Sequence, residues 1–598
     1  MRRSIALLGL LCLMPGSASA APPAVFPLDA LRPGLAGTGY TVFRGDSIAA
    51  FPVTIIDRLP GYETYDLIMV EGGGDELARS GISQGMSGSP VYVDGRFAGA
   101  LAFTFGFARE PVAFLTPAAA LLAVGGEGGR AEGPGRLDRP PFLLGEGERA
   151  PAPAPALPVS VGGLAPAALA SLERDLAPRG LSLAPMGADA PAAGNTAGTR
   201  ASAADGGAVA GTEGGGGAAD AALRPGSAVA IELLRGPVSA AVFGTVSHVA
   251  GGEIWAMGHP FLEEGPTELP LAAARVHGVV PSLSSSFKLA SVTRPLGAWL
   301  RDERAGLYGR LGRVPDMLPL TVSLEGTGRP RVARFAMVRH RWLTAMIARV
   351  AVQGWLRGAL GTRQEGRVEL SLRLHPAGRE AVIVEDGLAG EEILTAPALW
   401  LEDLVDLLQR NPAGPLPLDS LALTVRWDPG GAPVILESLT LDRDAVRAGE
   451  DWTLRVRLRH RDEIANLAWR LPSRGLTAGE YHLHLAGGRD FDVWNAKRQP
   501  ELYRFDGHDR LLDVLAHLVR RDRWILWLEA PGRDRVLGGR ELRLPAAWER
   551  LLPPAAGTEG RGAPRRLIRR ETRVADGEAR GHLALPVTIL ESPRRSAP

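Results

Sequence analysis

The sequence predicts a mainly β protein of several domains. Short apolar or alternating runs bounded by turn residues recur along most of its 598 residues, and 75 glycines and 48 prolines punctuate them. Stretches with helical spacing are few: "PAALASLERDL" (166–176), residues 340–360 and "RLLDVLAHLVRR" (510–521). A chain this long exceeds one core, so roughly three to five domains are expected.

Local patterns support this architecture from the N-terminus onward. "MRRSIALLGLLCLMPGSASA" has a basic start, a short apolar run and a small-residue end, the pattern of a signal peptide removed after Ala20. Residues 21–125 form a β-domain, with strands expected at "GYTVFRG", "FPVTIID", "YDLIMVE" and "PVYVDGRFAGALAF". Residues 126–224 are an Ala/Gly/Pro-rich linker, with a small strand–helix element around 157–185 and a stretch at 186–224 that cannot bury a core. A second β-domain covers 225–335, and an α/β connecting region covers 336–415. Arg349 and Arg357 argue against a membrane span in the latter. Alternating strands at 416–490 predict an immunoglobulin-like β-sandwich. Residues 491–598 add a strand/helix region with a disordered tail.

Composition removes several functions. A formal net charge of +1 gives no field that would draw nucleic acid or acidic lipid. The single cysteine, Cys12, lies in the signal peptide, so the mature chain has no disulfide, thiolate metal site or cysteine nucleophile. No cofactor or metal is expected. The compartment is periplasmic or extracellular.

The chemistry concentrates in "GISQGMSGSPVYVDGRFAGALAF" (81–103). A serine nucleophile needs an exposed hydroxyl on a tight turn, with backbone N–H groups aimed at the developing oxyanion. Gly-Met-Ser-Gly-Ser-Pro has the shape of the Gly-x-Ser-Gly-Gly-Pro loop of chymotrypsin-like peptidases. Ser87 is then the nucleophile, the N–H groups of Gly85 and Ser87 form the oxyanion hole, and Ser89 stands where a second glycine is usual. His259, on a strand-end turn in "EIWAMGHPFLEEG", is the candidate base. His482 and His484 share one face of a strand without a third metal ligand, and are expected to face solvent. His517 belongs to a helix as a surface or packing residue.

These stretches resemble the stage IV sporulation protein B (SpoIVB) peptidase family. The serine segment is similar to that family's nucleophile loop. "FGTVSHVAGGEIWAMGHPF" (243–261) resembles its histidine segment, and "TRPLGAWLRDERAGLYGRLG" (293–312) resembles the family's next stretch of chain after that histidine. The likeness covers residues 26–125 and 225–315. It implies a serine endopeptidase on two chymotrypsin-like half-barrels, acting on a protein or peptide, with the serine and histidine segments in exchanged chain order. The place of the family's aspartate falls on Gly72, which leaves Asp75 as first candidate for the triad acid and Glu71 as second. Met86 occupies the position of an aspartate that in trypsin-like enzymes pairs with a new N-terminus. It cannot hold an ammonium group and is expected to pack beneath the hairpin.

A Ser–Lys dyad is the competing mechanism. The mature chain has two lysines, Lys288 and Lys497. The serine-rich setting of Lys288, "SSSFKLAS", predicts a solvated loop, which would not lower its pKa. The other class of function is a catalytically inactive homologue that binds peptide through its barrels and an envelope protein through the sandwich.

Overall fold

The computed structural model describes residues 24–62, 65–105, 107–125, 157–179, 181–187, 223–283, 285–361, 365–391, 393–531, 535–537, 540–542 and 565–591. The signal peptide, the 188–222 stretch and the last residues of the tail lie outside them. The chain divides into two compact units. One comprises Met1–Ala131, Asp205–Ile231 and Phe243–Pro315. The other comprises Glu132–Ala204, Glu232–Val242 and Asp316–Pro598. The protein is mainly β, as the alternating runs require.

The first unit opens with strands β1 (Ala36–Val42), β2 (Ile48–Tyr62) and β3 (Tyr65–Gly72), then helix α1 (Asp75–Ser80). Strands β4 (Pro90–Val93), β5 (Arg96–Thr104) and β6 (Val112–Pro117) come next, ending in helix α2 (Ala118–Leu122). The six strands close into a barrel in the order β1-β2-β3-β6-β5-β4. Asp94 and Gly95 both have positive φ, at 48° and 72°, between the paired Val93 and Arg96. That two-residue Asp-Gly connection matches the twist of the strands and sets the β4–β5 register. Phe51, Val53, Ile55, Ile68, Val70, Val91, Val93, Leu101 and Leu115 fill the barrel together with Met86, which is fully buried. Met86 therefore packs as its apolar character predicts.

Next along the chain come β7 (Ala228–Arg235) and β8 (Ser239–Ala250), whose stretch Glu232–Val242 is counted with the second unit, and then, within the first unit, β9 (Glu253–Ala256), β10 (Gly265–Val280), β11 (Phe287–Glu303) and β12 (Gly306–Leu311). They pair in the order β7-β10-β11-β12-β9-β8, and an additional β7–β8 pairing brings the two ends of the run together. Gly251 and Gly252, at φ 60° and 84°, make the tight β8–β9 turn. Register shifts recur along β10 and β11. Bulges of this kind bend long strands around a core, here built from Val246, Ile254, Leu269, Leu271, Trp299 and Leu307. Gly45 and Val276 exchange backbone hydrogen bonds of 2.6 and 3.1 Å.

In the second unit, strands Leu157–Gly162 and Leu181–Pro185 flank the helix Pro166–Leu176, as its spacing predicts. A larger sheet runs through Val382–Gly390, Gly366–Pro376, Leu418–Asp428, Leu318–Glu325 and Arg331–Met337. The strand Leu418–Asp428, read in the sequence with the sandwich, belongs to this sheet because both its edges are paired. Helices Leu343–Leu360 and Ala396–Arg410 pack on each other, and buried Arg349 meets buried Glu402 at 3.2 Å. No described helix is long and apolar enough to cross a membrane.

The sandwich itself draws on residues 434–590. One sheet holds Glu463–Pro472, Asp451–His460, Val434–Leu441 and Ala579–Arg580. The other holds Ala445–Arg447, His582–Leu590, Gly479–Gly487, Arg523–Pro531 and Arg565–Val574. Their inner faces share Leu454, Val456, Leu483, Leu485, Trp524, Leu526 and Val587.

His484 corrects the expectation of a solvent-facing pair. It is buried, stacks on Trp527 at 4.7 Å, and meets His582 through ring nitrogens 3.0 Å apart. Its strand is central in the sheet, and helix Gly488–Arg498 brings Trp494 onto the same face. Replacing Leu454 by Ala should cost about 3 kcal/mol of sandwich stability, because its whole side chain leaves a cavity. Urea denaturation followed by tryptophan fluorescence would measure that loss.

Candidate functional site

The serine turn between α1 and β4 is held by nearly all its backbone groups. Gln84 N–H donates to Ser286 O (2.8 Å), Met86 N–H to Ser83 O (3.0 Å), Gly88 N–H to Leu101 O (2.7 Å) and Ser89 N–H to Met86 O (2.9 Å). The Ser89 hydroxyl also donates to Met86 O at 2.6 Å. The serine that replaces a glycine thus closes the turn instead of opening it. From β8, Thr245 N–H donates to Ser87 O (2.8 Å), the Thr245 hydroxyl to Gly85 O (2.9 Å) and the Ser247 hydroxyl to Gly88 O (2.7 Å).

Among the described residues the N–H groups of Ile82, Ser83, Gly85 and Ser87 have no acceptor, and the last two flank Met86 at the tip of the turn. They are the pair the sequence assigns to an oxyanion hole. Of the turn's serines, Ser83 and Ser89 are buried, whereas Ser87 is partly exposed and its hydroxyl bonds no described residue. Gly85 and Gly88 both sit at φ 91°, a region that glycine enters without strain. A Cβ on Gly88 would lie 2.1 Å from Thr245 O and 2.4 Å from Met257 N. Nothing but glycine fits there.

His259 comes after a strained turn, where Met257 and Gly258 have φ of 67° and 66°. A non-glycine residue in that region survives only when its surroundings over-determine it. Met257 is buried, the Thr116 hydroxyl donates to Gly258 O, and Asp302 receives the N–H groups of Phe261 (2.7 Å) and Leu262 (2.6 Å). Burial pushes the Asp302 carboxyl up to about 6 against the pull of those N–H groups. Asp302 therefore positions the histidine turn.

The histidine and serine turns meet over one oxygen. Leu101 O accepts from Gly88 N–H, and a Cβ on Gly258 would sit 2.7 Å from it. The Ser87 hydroxyl and the His259 ring are not hydrogen-bonded to each other. The ring packs on Phe103 at 5.9 Å, and its Nδ1 lies 2.8 Å from Pro260 O. A carbonyl only accepts, so Nδ1 carries the proton and Nε2 the lone pair. Burial lowers the His259 pKa, which keeps the ring neutral near pH 7. Asp75 and Glu71 are exposed, and neither makes an ion pair with His259. The Pro260 carbonyl occupies the place on the ring where a triad acid would bind.

Lys288 corrects the sequence expectation most directly. It is not in a solvated loop but at the start of β11, 3% exposed, with Nζ 2.7 Å from Thr41 Oγ1 and 3.4 Å from Thr245 Oγ1. Its N–H bonds Gln84 O at 3.0 Å, and a Cβ on Gly85 would touch its Cδ at 3.2 Å. Burial without a carboxylate brings its pKa down to about 7. The serine run ahead of it hid this, because Ser286 turns inward to donate to Ser80 O. Its rarity was the available signal, since lysine occurs twice in the chain.

No protein family, no curated protein and no solved structure matches the chain.

This geometry has two measurable outcomes. Gly88→Ala should cost about 3 kcal/mol through forced overlap with backbone, seen as a lowered unfolding midpoint by circular dichroism. Lys288 adds a pH dependence. The unfolded chain holds its proton to the ordinary 10.5, the folded chain only to about 7. Stability is therefore lowest below pH 7 and rises toward pH 10.5, by up to roughly 5 kcal/mol at about 1.4 kcal/mol per pKa unit. Urea denaturation across that range should show the rise in wild type and lose it in Lys288→Met.

Proposed function

We propose that the first unit is a serine hydrolase that cleaves peptide bonds, part of an exported protein of the SpoIVB peptidase type. Ser87 is the nucleophile, and His259 is the base. The observation that carries this reading is the pair of acceptor-free N–H groups on Gly85 and Ser87, beside the one partly exposed serine of the turn.

These groups define the chemistry. Ser87 Oγ attacks the substrate carbonyl carbon while His259 Nε2 takes the hydroxyl proton. The carbonyl oxygen becomes an oxyanion facing the two N–H groups. Collapse of the intermediate breaks the C–N bond, and the imidazolium returns its proton to the leaving amine. Water then repeats the sequence on the acyl-enzyme, with His259 again as base. Pro260 O fixes the tautomer, the part a carboxylate plays in a triad.

A second reading, an inactive peptide-binding module, draws on the absence of any described carboxylate at His259. A fluorophosphonate decides between them, because it reacts only with an activated serine. Wild type should take the label on Ser87, as read by mass spectrometry, and Ser87→Ala should take none. His259→Gln should slow labelling by about 10²–10⁴-fold. The rate should rise with pH through a midpoint below the ordinary histidine value of 6.5, since the neutral ring is the working form. Unlabelled wild type at every pH would leave the binding reading standing.

A further inference from the structure

Lys288 occupies a place where packing alone would favour a methionine or leucine. Its amine meets the hydroxyls of Thr41 from β1 and Thr245 from β8, while its backbone N–H and alkyl chain lie against Gln84 and Gly85 of the serine turn. No described carboxylate forms an ion pair with it. A buried ammonium without an anion is costly, and both its partners are hydroxyls that serve a charged or a neutral amine equally well. The turn is built around it. Gln84 is bonded on one side by Ser286 and on the other by Lys288, while the alkyl chain fills the space a side chain at Gly85 would take. The Thr245 hydroxyl that receives the amine also holds the Gly85 carbonyl.

We propose that Lys288 is the positioning residue of the serine turn: through Thr245 its amine fixes Gly85, and its positive charge, held beside the turn, favours a tetrahedral oxyanion at the Gly85 and Ser87 N–H groups. This rests on the assignment of Ser87 as nucleophile. His259 then works neutral and Lys288 works protonated, so two groups of opposite requirement bound the active pH range. The labelling rate at Ser87 rises as His259 loses its proton and falls as Lys288 loses its own near pH 7.

With only two lysines in the chain, the test is direct. Full-length protein grown with 13Cε-lysine gives one signal each for Lys288 and Lys497, and the signal absent from Lys288→Met identifies the former. It should titrate near pH 7. Fluorophosphonate labelling from pH 5 to 9 should be bell-shaped in wild type. In Lys288→Met it should be about tenfold to a hundredfold slower with no falling limb. Lys288→Arg keeps the charge and should recover part of the rate, again without the falling limb. Thr245→Val, which keeps shape and loses the hydroxyl, should match Lys288→Met, whereas Thr245→Ser should stay within threefold of wild type. Thr245→Val and the titration carry the test if Lys288→Met does not fold.

A Lys288 signal titrating near its ordinary 10.5, a falling limb that persists in Lys288→Met, or full-rate labelling of Thr245→Val overturns the proposal while leaving Ser87 in place. A rate that climbs through pH 7 and survives His259→Gln overturns it in favour of Lys288 as the base. Wild type that takes no label removes the Ser87 assignment itself.

Discussion

The close approach of Gly88 to the backbone of Thr245 and Met257 is the constraint on which the site depends. A hydrogen in place of a side chain lets β8 come near enough for Thr245 and Ser247 to bond three carbonyls of the serine turn, those of Gly85, Ser87 and Gly88. Those bonds consume the acceptors that the turn's own N–H groups would otherwise find. The Gly85 and Ser87 N–H groups stay without acceptors in this rigid loop. A loop of this sort is pre-organised, its shape settled on folding.

Around that contact the protein buries two ionisable groups against their preference. Asp302 and Lys288 each shift toward the neutral form, and both serve turns rather than each other. Met257 adds backbone strain beside them. A domain needs none of these for stability. Their clustering within one small region is the physical mark of a site whose shape is held at the expense of the fold.

Much of this was legible in the sequence because its causes are local. Asp94-Gly95 and Gly251-Gly252 announce hairpins through their own conformational preference, the 166–176 helix through its spacing, and the serine turn through its glycines. The rest depends on neighbours distant in the chain. Lys288 reads as solvated until β11 is seen to run beside Gln84, and nothing local marks Asp302, whose carboxylate meets N–H groups about forty residues earlier. His484 alternates like an exposed residue, yet the next helix in the chain covers that face. The sandwich borrows strands from 565–590, a pairing that no local pattern encodes. Asp75 lies close to Ser87 in sequence, and that proximity brings no ion pair with the His259 ring.

The chain order of these parts has a consequence for biosynthesis. The first barrel can close once residues 36–117 exist, but Thr245, Met257 and Lys288 emerge much later. At about 5–20 residues per second the interval is on the order of ten seconds or more. Throughout it the serine turn lacks the strand that shapes it, so the newborn chain carries that loop without the bonds from Thr245 and Ser247. Translation therefore sets the order of assembly, with the barrel first and the strand that locks the serine turn seconds later.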